Sequence, residues 1–240
     1  MTVGLVIFSR MDSQRLPGKA LKTFAGRAML GHVIDRAVAT LNADTVIVAT
    51  SDRDTDDDIA AFAETQGAKV FRGSADDVLG RAVACAETFG LTVLGRICGD
   101  SPFISPQMLG RLLLVHRTEG PEVTTNLFPR SYPAGMSFEV MTIDALRRLD
   151  GLVDDADRRE HMTRFIYENP DQFRIHNVAS GFDGWDGIPL TVDSADDLVQ
   201  ANWLFGRLKE TGEEMTIASV LTLAREWRRT NPVEQRDKVL

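Results

Sequence analysis

The sequence predicts an α/β fold with a mostly parallel central sheet and helices on both faces. Three observations predict it: short, nearly continuous apolar runs, segments of helical period alternating with them, and glycines that close those segments. Val3 to Phe8 is the first apolar run, the pattern of a strand covered on both faces. Met29 to Leu41 carries Leu30, Val33, Ile34, Ala37, Val38 and Leu41 at helical spacing. Thr45 to Ala49 is a second strand, Ile59 to Gln66 a helix stopped by Gly67, and Lys69 to Phe71 a third strand. Val78 to Phe89 is a helix closed by Gly90, and Leu91 to Ile97 a fourth strand. Such alternation over the first hundred residues predicts right-handed crossovers and parallel pairing.

The middle of the chain changes character. Val123 to Thr125 and Ser137 to Met141 read as strands around a loop, Phe128 to Gly135, that holds two prolines and a glycine. Helices are expected from Ile143 to Leu149 and from Glu160 to Glu168, the second ended by Asn169-Pro170. Phe173 to Val178 and Leu190 to Val192 read as further strands. Asp196 to Leu208 and Ile217 to Arg228 are amphipathic helices, with Trp203, Leu204 and Leu208 on the core side.

The bulk properties exclude several classes of function. A chain of 240 residues suits one large α/β domain with a modest insertion, here at about residues 123–180. A net charge of -8 argues against non-specific nucleic-acid binding, which needs a basic footprint. The opening apolar run is too short to span a membrane and has neither the basic flank nor the cleavage pattern of a secretory leader. Cys85 and Cys98 lack metal-ligand spacing and read as free thiols of a reducing compartment, with the cytoplasm as default.

Ligands of an open α/β sheet sit beyond the carboxyl ends of its strands, and the chemistry-bearing residues fall there. Directly after the first strand comes Ser9-Arg-Met-Asp-Ser-Gln-Arg-Leu-Pro-Gly-Lys19, with Arg10, Arg15 and Lys19 in one loop. Pro17-Gly18 makes a turn that can carry Lys19 back toward the arginines. Such a loop is either a triphosphate clamp or a solvated lead-in to a helix; it has neither P-loop nor dinucleotide-fingerprint glycines. The fourth strand runs into Gly99-Asp100-Ser-Pro102, where a glycine permits close backbone approach beside a carboxylate. Leu190-Thr-Val-Asp193 sets a second carboxylate after an apolar strand. Asp100 and Asp193 together suit one Mg²⁺ completed by phosphate oxygens and water, although Asp193 or Ser194 could equally cap the helix that follows.

Six segments in this order resemble the cytidylyltransferases of the spore coat polysaccharide biosynthesis type, relatives of 3-deoxy-manno-octulosonate cytidylyltransferase and CMP-sialic acid synthetase. They are Ser9 to Lys19, Phe71 to Arg81, Gly99 to Pro102, Tyr132-Pro-Ala-Gly135 with Glu139, Arg159-Glu-His161, and Thr191-Val-Asp193. The resemblance implies a Rossmann-like, GT-A-type nucleotidyltransferase fold with a small inserted β/α section through which relatives dimerise. It implies CTP and a sugar as substrates, Mg²⁺ as cofactor, and a homodimer. Ser9, Arg10, Met11, Arg15, Lys19 and Gly99 are then expected at the nucleotide and its phosphates, with Asp100 and Asp193 on the metal. Arg72, Gly73, Ser74, Asp76, Asp77 and Arg81 fall on the segment lining the nucleotide and sugar sites. Asn126, Tyr132, Glu139, Glu160 and His161 match the sugar side.

Two departures bear on the sugar. Ala134 and Ser137 stand where close relatives often carry aspartates, and Gly187 to Leu190 lacks an arginine expected before Thr191. The implied chemistry is attack by a sugar oxygen, an anomeric hydroxyl or a phosphate oxygen, on the α-phosphorus of CTP. Arg10, Arg15, Lys19 and Asp100 would carry it by positioning and electrostatics. A glycosyltransferase consuming a nucleotide sugar and a catalytically silent nucleotide binder are the competing readings. His32, His116 and His176 have no partners at metal or triad spacing, and the run Asp52 to Asp58 reads as a solvated helix start. The loop of Gly181, Gly184, Trp185 and Gly187 has no reading.

Overall fold

The computed structural model describes residues 1–182, 185 and 187–231; Gly184 of the uninterpreted loop lies outside them. Four parallel strands form the heart of the sheet: β1 (Val3–Phe8), β4 (Thr45–Ser51), β5 (Lys69–Gly73) and β6 (Val93–Cys98), while β2 (Thr23–Phe24) and β3 (Arg27–Ala28) make a separate two-stranded ribbon. The runs of β1, β4 and β6 are largely buried because helices cover both faces, whereas β5 at the sheet edge is only partly covered. Helices α1 (Met29–Val38) and α2 (Asp57–Thr65) are among those between strands, and α3 (Val78–Thr88) lies on the face lined by Val6, Ile47 and Leu94. Beyond β6 the sheet continues with β8 (Glu139–Thr142), β7 (Val123–Thr125) and β9 (Ile175–Asn177), giving the order β5-β4-β1-β6-β8-β7-β9. Within this sheet, among the described residues, the β6–β8 and β8–β7 pairs are antiparallel and the others parallel.

This order places the site. The chain steps outward from β1 to β4 and β5, then returns to pair β6 with the other side of β1. The reversal opens a crevice between the carboxyl ends of β1 and β6, the place where such sheets bind ligands. In-register pairing sets Phe8 beside Cys98, so the loops that follow them start side by side.

Several elements differ from what periodicity suggests. Nothing was expected between Ile97 and Val123, yet α4 (Pro106–Glu119) fills it, started by the Ser105 hydroxyl with Pro106 at its first position and ended at Gly120. The helix expected over 160–168 is shorter, α7 (Arg164–Glu168), and a separate helix, α6 (Ala156–Glu160), capped by Asp155, precedes it after α5 (Ile143–Leu152). The break falls at His161, whose backbone leaves the helical region at φ -95, ψ 57. His161 therefore sits at a helix end, not a start.

Leu190 to Val192 is not a strand either. Its amides bond loops instead of a ladder: Leu190 N donates to Ala134 O at 2.7 Å and Val192 N to Asp100 O at 3.1 Å. The chain closes with α8 (Ala195–Thr211) and α9 (Ile217–Thr230), and α8 buries Leu204 and Leu208 as its pattern predicts, with Trp203 partly buried beside them. Among the described residues no helix is long and apolar enough to cross a membrane.

Candidate active site

The loop after β1 is fixed from three directions. Met11 N donates to Asp56 Oδ1 at 2.7 Å, Gly18 N returns to Met11 O at 3.2 Å, and Gly18 itself is left-handed, with φ 68. That conformation favours glycine and reverses the chain, so Lys19 opens a short 3₁₀ turn pointing back at the sheet. The Asp56 anchor was not foreseen: in the acidic run it reads as solvated, yet it is 2% exposed and also accepts bonds from the amide and hydroxyl of Ser51. A charge run carries no mark of which member turns inward.

Lys19 joins the two aspartates. Its Nζ lies 2.9 Å from Asp100 Oδ2 and 2.6 Å from Asp193 Oδ1, and Arg15 reaches Asp193 Oδ2 at 3.1 Å. Gly99 brings the β1 and β6 loops together: its N donates to Phe8 O at 2.9 Å, and a Cβ built on it would stand 2.8 Å from Ser9 Cβ. Asp193 is not the cap of α8. Ser194 takes that role, its hydroxyl accepting from Asp197 N in a reciprocal capping box, which leaves the Asp193 carboxylate to the cations. Burial opposes charge on both partners, but their pairing outweighs it: the Asp193 pKa is lowered and the Lys19 pKa raised.

A cavity of about 480 Å³ opens beside this cluster, within the range of nucleotide-sized sites. Ser9, Arg10, Arg15, Lys19, Arg81, Gly99, Asp100, Glu160, His161 and Asp193 line it, ten of the sequence-expected residues in one place. Arg10 makes a forked pair with Glu160 (2.7 and 3.4 Å) and also bonds Ala75 O. Arg96, singled out by no sequence signal beyond being a cation inside an apolar strand, lines the floor and pairs with Glu139 at 2.8 Å.

Other expected residues stand outside the cavity wall. Met11 contributes its backbone to the loop. Arg72 is turned to the carbonyls of Ser51 and Arg53, and Gly73 O accepts from Asp52 N. Ser74 bonds Asp77 N, and Asp76 is exposed against Arg53. Asp77 caps α3 at Gly80 N and binds Arg159 at 2.7 Å; burial opposes its charge, but these two bonds together with the charges of Arg159 and Arg81 outweigh it and lower its pKa. On the sugar side, Asn126 is fully buried, donating to Met136 O and accepting from Phe138 N. Tyr132 is 2% exposed and Glu139 1%; none of the three lines the cavity, and Glu139 reaches it only through its pair with Arg96. His32 and His116 are interior hydrogen-bonding residues, on Phe24 O and the Thr124 hydroxyl.

Among the described residues no group of three or more His, Cys, Asp and Glu is placed to hold a metal. Two carboxylates from separate segments converging on one ammonium do match the donor set of a Mg²⁺ that keeps phosphate oxygens and water as its other ligands.

Comparison with known proteins agrees with this geometry. The family model described as cytidylyltransferase matches residues 5–191. A spore coat polysaccharide biosynthesis protein, SpsF of Bacillus subtilis, is 34% identical over 177 residues, covering 71% of this chain and 72% of its own. The solved structure of a cytidylyltransferase from Leptospira borgpetersenii superimposes with a TM-score of 0.85 at 27% identity, covering 100% of this chain and 99% of that one. A CMP:2-keto-3-deoxy-manno-octonic acid synthetase complexed with CTP has a TM-score of 0.65 at 20% identity, over 86% of this chain and 99% of its own, and shares the fold.

Proposed function

Because the chain belongs to the cytidylyltransferase family, we propose that it transfers CMP from CTP to an acidic or phosphorylated sugar and releases pyrophosphate. The observation that carries this reading is the Lys19 ammonium held between Asp100 and Asp193 at the mouth of the cavity. A sugar oxygen attacks the α-phosphorus as the bond to pyrophosphate breaks. Lys19 and Arg15 lie where the charge of the departing pyrophosphate would grow, and Arg10, once released from Glu160, adds a planar fork to them. Asp100 and Asp193 are the residues that would hold Mg²⁺, which when bound neutralises phosphate charge and orients the α-phosphate. Gly99 and the loop anchored by Asp56 fix the backbone from which these groups project.

The section 123–180 carries β7, β8, β9, Glu160 and His161; we assign it the sugar wall and the contact of a homodimer, in a cytoplasmic enzyme with free thiols. The test is pyrophosphate release from each of the four nucleoside triphosphates with Mg²⁺ and a panel of acidic and phosphorylated sugars. CTP-dependent release with one class of sugar is expected. Release of a nucleoside diphosphate from a nucleotide sugar would instead make the chain a glycosyltransferase, and heat on mixing with CTP without release of either product would make it a silent nucleotide binder.

A further inference from the structure

The cations of the cavity are matched by carboxylates with one exception. Arg10 has Glu160, Arg15 has Asp193, Lys19 has Asp100 and Arg96 has Glu139. Arg81, on the first turns of α3, has none within ion-pair distance among the described residues. Its nearest acidic neighbour on α3's cap, Asp77, is given over to Arg159. Arg81 is 2% exposed, bonds the Ser74 carbonyl at 3.0 Å, and leaves its buried Nε without a partner. The guanidinium stands 5.7 Å from the centre of the Phe8 ring, on the cavity wall. Burial first, and the charge of Arg10 second, push its pKa down, yet an arginine stays protonated at any physiological pH.

The carboxylates of Glu160, Asp56 and Asp12 stabilise the Arg81 charge only from beyond ion-pair distance, and a charge withdrawn from water gains most from a partner in direct contact. Arg96 shares the same cavity with an Nε that also lacks a partner. Resting on the cytidylyltransferase reading, we propose that Arg81, assisted by Arg96, binds the anionic group of the sugar acceptor, its carboxylate or its phosphate. The phosphates of the nucleotide have their own cations at the mouth, Lys19 and Arg15, beside the two aspartates. The wall shared by Arg81 and Arg96 is completed by Glu160 and His161 from the section between β8 and β9. An anionic sugar brings Arg81 the close counter-charge that a neutral sugar lacks.

The test uses full-length protein labelled with ¹⁵N on arginine, with Arg81→Met to assign the Arg81 Nε–H resonance. CTP with Mg²⁺ is first titrated by calorimetry, which examines the nucleotide reading alone. Inorganic phosphate and acetate are then titrated separately into CTP-saturated protein. A saturable shift of the Arg81 resonance with phosphate alone assigns a sugar phosphate, with acetate alone a sugar acid, and with both a general anion subsite. A resonance that moves fully with CTP and then ignores both anions overturns the proposal, because Arg81 would belong to the nucleotide; so does a resonance that no anion moves. Failure to bind CTP with anion shifts intact would sink the nucleotide reading and leave the subsite standing. In turnover, Arg81→Met is expected to raise KM for the anionic sugar roughly 10- to 100-fold, the size of a lost charge-assisted bond, with the CTP isotherm within about threefold.

Discussion

The Lys19 ammonium stands 2.6 Å from the Asp193 carboxylate, across 174 residues of chain, and the same nitrogen is 2.9 Å from Asp100. A cation thus already occupies the point where two carboxylates converge. Replacing either aspartate by asparagine keeps the shape and removes the charge. We expect Asp100→Asn and Asp193→Asn each to lower kcat by roughly 10²–10³, measured as pyrophosphate release, with far-UV circular dichroism unchanged. Normal turnover by either variant would remove that carboxylate from the reaction centre.

The same pair sets a pH signature of stability. Asp193 has its pKa lowered below the ordinary 3.8, so its contribution is present above that value and is lost as pH falls through the folded pKa. Lys19 has its pKa raised above 10.5, so its contribution is complete below 10.5 and is lost as pH rises through the folded value. Thermal melts should therefore show Asp193→Asn with a flatter acid limb below about pH 4 and little change at neutral pH beyond a constant offset. An acid limb as steep as that of the parent protein would show that the pair adds nothing to folding.

How much of this was readable before folding depends on distance along the chain. Arg10 and Asp100 were legible because each comes just after an apolar strand, and strand ends define the crevice; Lys19 was legible through the Pro17-Gly18 turn that carries it back. Asp193 was legible as a carboxylate, but only the hydroxyl of Ser194, seen bonded to Asp197 N, shows that it is not the helix cap. The partners of Arg10 and Arg96 were hidden, since Glu160 and Glu139 reach them through the break after α6 and the antiparallel turn of the sheet at β8. Asn126 and Tyr132 were placed on the sugar side by the resemblance alone, and the fold spends the Asn126 amide on its own loop. Helix α4 escaped because its apolar residues spread round the helix, and only Ser105-Pro106 and Gly120 marked its ends.

Arg96 and Glu139 face one another as register partners of β6 and β8, and Glu139 also accepts from the Tyr167 hydroxyl at 3.2 Å. With 1% exposure, Glu139 left alone would be an unpaired buried charge. Arg96→Met is expected to cost about 3–5 kcal/mol, and Glu139→Leu added to it should restore most of that loss. Denaturant melts of the two variants check this. Equal instability of single and double variants would mean that packing, not charge, holds the floor.

Gly99 permits a contact that no side chain allows. Its missing Cβ would meet the Phe8 carbonyl at 2.9 Å, backbone that cannot swing aside, as well as Ser9. Gly99→Ala should force the two phosphate-side loops apart, destabilising by about 1–3 kcal/mol and raising KM for CTP about tenfold or more. Calorimetry with CTP and a thermal melt measure both; an alanine variant with unchanged CTP affinity would show that the close approach serves folding alone.

Asp197 does more than close the capping box. It accepts from Ser194 N at 2.9 Å, from the Ser194 hydroxyl at 2.7 Å and from Asp193 N at 3.2 Å, so it holds the backbone from which the Asp193 carboxylate projects. Ser194→Ala removes the hydroxyl and leaves the two amide bonds. It should cost about 1 kcal/mol, a drop of roughly 2–4 °C in Tm for a chain this size, with kcat nearly unchanged. Asp197→Ala releases the Asp193 backbone as well, and should lower kcat in addition to Tm. Measured side by side, the pair separates helix capping from placement of the carboxylate: if both variants melt early and turn over alike, Asp193 is positioned by Lys19 and Arg15 and not by the start of α8.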